Sequence, residues 1–399
     1  MVNLDKIFDS VGSRSLFKNK QILQSNYTPG DIPHRDREIE HLASILAPSL
    51  LGQKTSNIFI YGKTGTGKTL SVQHVADELL KRSKDSKILR VEYINCKLKK
   101  VADTEYRIFA ELIKKVGGDV PATGLPTDQV YKRFIEIIEK NEEKLLIVVL
   151  DEIDQAVKKI NDDFLYNLMR LNSELSKTQI SIIGISNDVK FLEMIDPRVK
   201  SSLSEEEMIF NPYNATQLQD ILKKRAEESF KPGVVSEGVI AKCAAYAARE
   251  HGDARRALDL LRVAGEIAER SSNPRIEIKH IDEANDKVER DKILDIVEKA
   301  TRQFQLVLYA IISLSNNNNE GIFTGDVYNF YSEVCKKVNF EILTQRRVGD
   351  IIAEFDMLGL INARVISKGR QGRTREIRLD IPDNVLKKSK DILLESLGI

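Results

Sequence analysis

The stretch that most constrains this chain is a glycine-rich segment that lies between an apolar run and an amphipathic one. Residues 58–61 are apolar or aromatic, and residues 62–69 follow at once with the sequence GKTGTGKT. This G-x-x-x-x-G-K-T pattern is typical of a loop that joins a strand to a helix. Glycines let such a loop turn tightly and point its N–H groups at an anion, and the helix dipole favours the same anion. The pattern therefore predicts a phosphate-binding loop, and the alternative is a Gly/Thr-rich turn with a chance lysine.

Two residues of this loop have chemical roles of their own. Lys68 would place a positive charge against the β- and γ-phosphates, and the hydroxyl of Thr69 can ligate Mg²⁺. We therefore expect ATP or ADP together with Mg²⁺ as ligands. The residues predicted to contact the nucleotide here are Gly62, Lys63, Thr64, Gly65, Thr66, Gly67, Lys68, Thr69 and Leu70.

Length and composition limit the class of protein. At 399 residues, two or three domains are expected, and the net charge of +1 favours no class of partner. Three distant cysteines suggest buried, reduced thiols rather than a zinc site. The first residues lack the apolar core of a signal peptide, and we find no apolar run of 18 residues. We therefore expect a cytoplasmic protein that neither enters nor spans a membrane.

An acidic cluster follows a second apolar run. Residues 145–150, LLIVVL, are typical of a strand that is buried on both faces of a parallel sheet, and Asp151 and Glu152 follow it. Ligands gather at the carboxyl ends of such strands. We expect Asp151 to hold Mg²⁺ and Glu152 to orient the attacking water, although acidic residues after a strand can also cap the next helix. Asp154 is interpreted mainly as such a cap.

Further candidates lie at the ends of other predicted elements. Asn187, after a strand-like run, could bind a water or a γ-phosphate oxygen, or it could simply form a turn. Arg198 could reach the nucleotide of a neighbouring subunit or remain solvated. Arg255 lies in the first turn of a helix, where a cation opposes the dipole, so it either meets phosphate or is merely exposed. The loop 27–35, which is rich in turn formers and contains Pro33, His34 and Arg35, either packs on the base or only connects two elements. We also assign Tyr213 to the nucleotide site.

The pattern of elements predicts four parts. Residues 1–26 form an arm or a strap, residues 27–211 an α/β nucleotide-binding domain, residues 212–295 an all-helical lid, and residues 296–399 a winged helix-turn-helix domain. The last part contains three helices and then a hairpin, in which residues 364–378 hold six basic residues and one acidic residue. Such a charge pattern could bind DNA phosphates, or it could be only a solvated hairpin. The candidate DNA contacts here are Gln345, Arg346, Arg347, Lys368, Arg370 and Arg373.

Taken together, the motifs resemble those of AAA+ ATPases, and more closely those of archaeal replication initiators related to the largest origin-recognition subunit and to the cell-division-cycle helicase loader. The resemblance covers almost the whole chain, from YTPGDIPHRDREI through GKTGTGKT, VLDEID, GISND and DPRVKSSL to GDARRALDLLR and the C-terminal winged helix. It implies a Rossmann-like parallel sheet with a helical lid.

The resemblance also implies roles for single residues. These are Lys68 and Thr69 as the Walker A pair, Asp151 and Glu152 as the Walker B pair, Asn187 as sensor 1, Arg255 as sensor 2, Arg198 as arginine finger, Tyr106 and Arg107 as DNA contacts, and Pro33, His34 and Arg35 as the segment that packs on adenine.

The function expected from this resemblance is that of a replication initiator. Such a protein binds duplex DNA at origins, hydrolyses ATP slowly as an ATP/ADP switch, and helps to recruit the replicative helicase, with a paralogous initiator as a further candidate partner. It would act in the cytoplasm at the nucleoid. Two alternatives remain open: a nucleotide-gated transcription regulator, and a clamp-loader-like remodeller.

Overall fold

The computed structural model describes residues 15–24, 27–83, 88–97, 104–121, 124–315, 321–367 and 373–398. The chain forms two compact units, which divide between residues 281 and 282. In the described ranges, no helix combines the length and the apolar character that a membrane span requires.

A five-stranded sheet forms the centre of the first unit. Its strands, in the order β2-β3-β4-β1-β5, pair in parallel throughout. They are β1 (Ile58–Gly62), β2 (Leu89–Asn95), β3 (Leu145–Asp151), β4 (Gln179–Ser186) and β5 (Glu206–Phe210). Every residue of β3 is buried, because helices cover both faces of the sheet and leave no side for polar residues. The predicted α/β class is confirmed.

The residues of β3 alternate between two hydrophobic clusters, one on each face. Leu146, Val148 and Leu150 belong to one cluster, and Leu145, Ile147 and Val149 belong to the other. Successive side chains of a strand point to opposite faces, so an uninterrupted apolar run supplies both cores. The helices of this layer are α1 (Asp36–Leu46), α2 (Lys68–Arg82), α3 (Glu105–Lys115), α4 (Thr127–Lys140), α5 (Ile153–Ile160), α6 (Asp163–Arg170) and α7 (Pro197–Leu203).

Helices alone follow the sheet, as the sequence predicts. They are α8 (Ala215–Ser229), α9 (Val239–Arg249), α10 (Ala254–Arg270) and α11 (Ile278–Lys299). Helix α9 begins directly after Gly238, which has the left-handed φ of 81° and forms its N-cap. We call α8–α10 the lid.

The segment before the α/β layer is packed onto the lid. We call residues 15–24 the strap. The backbone N–H of Lys18 donates to the carbonyl of Ser229 at 2.7 Å, and the ring of Phe17 lies 4.6 Å from that of Phe230. A Cβ at Gly265 of α10 would lie 2.6 Å from the Phe17 ring, so only a glycine permits this approach.

The second unit is a winged helix. It contains α12 (Arg302–Ser315), β6 (Ile322–Phe323), α13 (Thr324–Lys337), α14 (Gln345–Met357), β7 (Ile361–Ser367), β8 (Arg373–Leu379) and α15 (Asp383–Leu397). The sheet has the order β6-β8-β7 and is antiparallel. The three helices and the hairpin expected from the sequence are present. Strand β6 and helix α15 were not predicted from the sequence. Strand β6 has only two residues, and no sequence motif that we identified lies in α15.

Candidate functional site

One cavity of about 720 Å³ in the first unit collects most of the residues predicted for the nucleotide site. The order of the sheet explains this, since β3, β4 and β1 are neighbours and their carboxyl ends lie at one edge. The α/β layer contributes residues 65–70, Asp151, Glu152 and Asn187 to the wall, and the lid contributes Arg255. Pro33 and Tyr213 also line it.

The glycine-rich loop leads from β1 into α2, which begins at Lys68. Gly65 has a φ of 71°, in the left-handed region that favours glycine. A Cβ there would lie 1.7 Å from Oδ1 of Asp253, so a side chain at this position would collide with the lid. The backbone N–H of Ala254 donates to the carbonyl of Gly65 at 3.2 Å. The lid and the loop are thus in direct contact at this glycine.

Lys68 is buried at the start of α2. Its Nζ donates to the carbonyl oxygens of Gly62 at 2.9 Å and Lys63 at 2.7 Å. Burial lowers the pKa of the Lys68 amine to about 8, and the opposing charge of Asp151 limits this effect. The amine therefore gains most from an anionic ligand, which would restore its ordinary preference for the charged form.

Thr69 and Asp151 form a hydrogen-bonded pair across the cavity. The Thr69 hydroxyl donates to Oδ2 of Asp151 at 3.0 Å, and the backbone N–H of Glu152 donates to Oδ1 at 3.0 Å. Burial raises the pKa of the Asp151 carboxyl, and the hydrogen bond from Thr69 opposes this. A hydroxyl and a carboxylate that share one hydrogen bond are oxygen ligands of the kind that Mg²⁺ takes, so the pair fits this ion.

Glu152 has a φ of 54°, which is rare and strained for a residue with a side chain. Its carboxylate lies 3.5 Å from Nζ of Lys97 and lines the cavity. The strained conformation turns the residue after β3 towards the cavity instead of into α5.

Asp154 has a different role from the helix cap that its position suggested. Its buried Oδ1 accepts from the Ser186 hydroxyl at 3.1 Å and from the backbone N–H of Asn187 at 3.3 Å. The carboxylate therefore fixes the end of β4 and places Asn187 at the cavity wall.

The lid presents the first turn of α10 to the cavity. Oδ1 of Asp253 accepts from the N–H groups of Arg255 at 2.8 Å and Arg256 at 3.2 Å, which is an N-cap. Burial lowers the pKa of Lys68 and raises that of Asp151; the charge of Arg255 adds to the first effect and opposes the second. The arginine is therefore close enough to act on both residues, although it comes from a separate part of the sequence.

Arg35 lies behind the loop rather than in the cavity wall. Its Nε donates to the carbonyl of Thr66 at 2.8 Å, its Nη2 donates to the carbonyl of Asn211 at 2.6 Å, and its guanidinium carbon lies 4.1 Å from the Tyr213 ring centroid. Arg35 thus holds the loop against the start of the lid. His34 also lies outside the wall, with Nε2 at 3.0 Å from Oδ2 of Asp220. Gly62, Lys63 and Thr64 are at the entrance to the loop, and the wall begins at Gly65.

Arg198 is on the outer surface of α7. Its side chain is 73% exposed, and its Nε and Nη2 donate to the Asp196 carboxylate at 3.0 and 3.1 Å. It lies outside the wall of this cavity, so any contact with a nucleotide would be to that of another molecule.

Tyr27 and Ile32 of the wall lie in the loop 27–35, for which the sequence suggested packing on the base. Sequence reasoning did not single out other residues of the wall, among them Ile221, Arg225 and Leu258. One signal could have found part of this set: Ile221 and Arg225 are four residues apart and share one face of α8. Which face of α8 meets the cavity is decided only by packing.

The candidate DNA contacts are divided between the two units. In the first, Tyr106 in α3 donates its hydroxyl to the carbonyl of Pro121, and the N–H of Arg107 donates to the Thr104 cap at 3.3 Å. In the second, Gln345, Arg346 and Arg347 are exposed in the first turn of α14.

The hairpin is attached to α14 through strand β8. Nη1 of Arg375 in β8 donates to the carbonyl of Gly349 at 2.6 Å. Lys368 and Arg370 lie outside the described residues, as does the side chain of Arg373.

Comparison with known proteins covers nearly the whole chain. An AAA ATPase domain model matches residues 31–183, a Cdc6 AAA+ ATPase-type lid model residues 219–286, and a CDC6 C-terminal winged helix model residues 295–389. An ORC1-type DNA replication protein of Pyrococcus abyssi is 52% identical over 386 residues, covering 95% of this chain and 91% of the relative. That of Methanosarcina mazei is 50% identical, covering 98% and 94%.

A solved structure, the Aeropyrum pernix ORC1 protein in complex with DNA, superposes with a TM-score of 0.85. It is 42% identical to this chain, and the match covers 95% of this chain and 97% of that one.

Proposed function

We propose a function from one premise: this chain belongs to the family of ORC1/Cdc6-type replication initiators, AAA+ ATPases that have a lid and a C-terminal winged helix. The protein binds ATP with Mg²⁺ between the sheet and the lid, and it binds duplex DNA at replication origins. Its affinity for DNA changes with the state of the bound nucleotide. One observation carries this proposal, which is that Lys68, the Thr69–Asp151 pair and Arg255 meet at a single cavity.

The triphosphate would be held by groups from both sides of the cavity. Lys68 and the N–H groups at the start of α2 come from the sheet side, and Arg255 comes from the lid, where α10 also directs its positive end to the loop. Thr69 and Asp151 would hold Mg²⁺, which neutralises phosphate charge when it is bound. Because the charge of Arg255 adds to the burial that lowers the pKa of Lys68, an anion between the two cations relieves an unfavourable arrangement.

Hydrolysis would depend on Glu152 and Asn187. Glu152 would orient the attacking water and accept its proton, and Asn187, held by Asp154, would fix the position of that water. Arg198 is outside the chain's own cavity, so a single molecule lacks this cation at the site. We therefore expect slow hydrolysis by the isolated chain, as is usual when the arginine must come from a partner.

The lid would act as the switch. Arg255 belongs to α10, whose first turn contacts Gly65 of the loop. Loss of the γ-phosphate removes the anion that draws Arg255 towards the sheet, so the angle of the lid changes. We propose that this change alters the surface offered to the replicative helicase and to a paralogous initiator.

DNA would be bound by the first turn of α14, the hairpin and α3. The 42% identical Aeropyrum pernix protein was solved in complex with DNA, and α14 has exposed Arg346 and Arg347 at the end that recognition helices place in the major groove. The basic residues of the hairpin would add phosphate contacts. In the first unit, Tyr106 and Arg107 are proposed as DNA contacts in their own right.

Lys68→Ala tests the nucleotide site. Deleting a buried ammonium that pairs with phosphate should weaken ATP binding at least about tenfold, because hydrogen bonds to charged groups contribute roughly 1.5–3 kcal/mol each. Isothermal titration calorimetry measures the loss, and Arg198→Ala is a matched control that removes an exposed cation. Unchanged affinity in Lys68→Ala would refute the site.

Arg346→Ala and Arg347→Ala test the DNA surface. Each phosphate contact that is lost should lower the slope of log affinity against log salt concentration by about 1. A slope that stays unchanged in the double variant would show that α14 is not part of the DNA interface. Footprinting on the protein's own genome separates the initiator from the transcription regulator, since sites beside replication starts favour the former and promoters the latter.

A further inference from the structure

Arg35, at the N-cap of α1, is a buried arginine whose donors are divided among three segments of the chain. It is only 4% exposed. Its Nε donates to the carbonyl of Thr66 in the phosphate loop at 2.8 Å, and its Nη2 donates to the carbonyl of Asn211 at 2.6 Å. Its Nη1 donates to the Glu38 carboxylate at 2.7 Å. Because a guanidinium is planar and rigid, it fixes these acceptors relative to one another.

The acceptor on the far side of Arg35 lies where the lid leaves the sheet. Residues 211–214 join β5 to α8, and we call them the hinge segment. The Tyr213 hydroxyl also accepts from Nε of Arg35 at 3.1 Å, and the Tyr213 N–H donates to the carbonyl of Gly252, just before α10, at 3.3 Å. A Cβ at Gly252 would lie 2.3 Å from the Tyr213 carbonyl oxygen, so the two segments fit tightly. A shift of the hinge segment would therefore be passed to both α8 and α10.

The phosphate loop of the empty protein is bonded to itself. Nζ of Lys68 donates to the carbonyls of Gly62 and Lys63, and the Thr66 hydroxyl donates to the Lys63 carbonyl at 2.9 Å. A phosphate in the loop would take the Lys68 ammonium as its own donor, so both carbonyls would lose it and the loop would rearrange. An unmet buried polar group is costly, so Arg35 would stay bonded to the Thr66 carbonyl as that carbonyl moves.

We propose that Arg35 is a positioning residue that makes the lid respond to the occupation of the phosphate loop. The Thr66 carbonyl moves when phosphate binds, the guanidinium follows it, and the hinge segment follows the guanidinium. This proposal rests on the proposed function, because it describes how the same cavity sets the angle of the lid. Its part differs from that of Arg255, which meets the γ-phosphate inside the cavity, whereas Arg35 lies behind the loop and touches no nucleotide.

The experiment measures the distance between two nitroxide labels on the full chain by double electron–electron resonance. The three native cysteines are buried, so the labels attach to Lys132→Cys on α4 and Lys223→Cys on α8, which are both exposed positions. Distances are recorded for the empty protein, with saturating Mg²⁺-ADP, and with a saturating non-hydrolysable ATP analogue. ADP lacks the γ-phosphate assigned to Arg255, so the shift from empty to ADP isolates the link through Arg35. Wild type should show such a shift.

Two variants interrupt the link. Arg35→Lys keeps the charge but lacks the planar fork, so the ADP shift at saturation should fall by at least about half. Tyr213→Phe keeps the buried ring and removes one acceptor of the hinge segment. It should reduce the shift as well, and it replaces Arg35→Lys as the test if that variant does not fold.

Two matched controls should keep the wild-type shift. Arg37→Lys makes the same substitution at an exposed neighbour on α1. Glu38→Gln alters the third partner of the same guanidinium, which lies outside the link between loop and hinge segment. The unfolding midpoint of each nucleotide-free variant is measured in parallel.

Three results would overturn the proposal. One is the absence of an ADP shift in wild type. Another is a full shift in Arg35→Lys and Tyr213→Phe, which with a lower midpoint would mark Arg35 as a structural brace only. The last is an equal loss of the shift in either control. Each leaves the proposed function standing if the ATP analogue and ADP still give different distances in wild type, whereas one distance for both ligands would fail the proposed switch itself.

Discussion

The pKa values of single residues in the cavity are shifted by the groups that surround them. Lys68 is buried with carbonyl oxygens as its partners, and Asp151 is buried with the Thr69 hydroxyl. In each case burial disfavours the charged form, so the lysine pKa falls and the carboxyl pKa rises. Both residues are therefore poised to gain from charged ligands, the lysine from phosphate and the carboxylate from a cation.

The affinity for ATP should depend on pH through Lys68. The folded, empty protein releases the Lys68 proton near pH 8, and the ordinary value is 10.5, so the unfolded chain binds more protons between these values. The cost of burying this amine is therefore largest below pH 8 and disappears as the pH rises through 10.5. Since phosphate needs the ammonium form, ATP affinity should fall above pH 8, approaching about tenfold per pH unit.

Calorimetric titration between pH 7 and pH 10 checks this dependence. Lys68→Met is the control, because it lacks the titrating group and should give a much flatter profile. A wild-type affinity that stays constant from pH 7 to pH 9.5 would contradict the predicted protonation.

Removal of the Glu152 carboxylate should separate binding from turnover. Glu152→Gln keeps the shape of the side chain but cannot accept a proton, so hydrolysis should slow by about 10²–10⁴-fold. The affinity for ATP should change little, since Lys68 and the loop remain. Single-turnover phosphate release measures the rate, with Glu193→Gln, at an exposed carboxylate outside the cavity wall, as the control. Turnover that persists in Glu152→Gln would assign the base to another residue.

The strap is an element whose position is set by tertiary contacts. Its composition is mostly polar, with only a few apolar residues, and predicts no regular structure. In the fold, however, the apolar residues Leu16, Phe17, Ile22 and Leu23 are buried on the lid. The N–H of Leu16 donates to Oε1 of Glu269 at 2.7 Å. The strap therefore covers apolar surface of α8 and α10 that the lid would otherwise expose.

Phe17→Ala should destabilise the lid by about 3 kcal/mol, because the loss of a buried aromatic ring leaves a cavity against Phe230 and Gly265. Denaturant unfolding of the full chain measures this change. Lys18→Ala is the matched control, since Lys18 is exposed and its backbone hydrogen bond is retained, so its effect should stay within about 0.5 kcal/mol. Equal stability of the two variants would show that the strap does not support the lid.

At the scale of the molecule, the nucleotide cavity belongs to one of two compact units. Residues up to 281 hold the cavity, and residues from 282 form the winged helix with its own hydrophobic cluster. A ligand that binds only the folded first unit should stabilise that unit by about 2.7 kcal/mol at a hundredfold excess over Kd. The temperature at which the winged helix unfolds should not change.

Differential scanning calorimetry with and without Mg²⁺-ATP checks this prediction. The first unit's transition should move up by several degrees in wild type and by about half as much or less in Lys68→Ala, whose affinity is at least about tenfold weaker. An equal shift of both transitions would contradict independent units, and it would point to coupling of nucleotide binding to the second unit.

What the sequence determined by itself is local. The loop 62–69, the buried strands and the acidic pair Asp151–Glu152 depend on neighbours within a few residues, and their chemistry is visible in the order of residue types. The same is true of the all-helical lid and of the basic hairpin. The family resemblance added the roles, because the order of motifs along the chain is itself specific.

What only the tertiary structure decided is which distant residues meet. The strand order puts β4 between β3 and β1, so Asp151, Asn187 and the phosphate loop lie at the ends of neighbouring strands. Arg35 reaches Tyr213, 178 positions away, and braces the loop, whereas Arg225 enters the cavity. No local pattern separates these two arginines. The physical reason is that burial and partners depend on which face of an element packs against the rest of the fold, and this is settled by long-range packing.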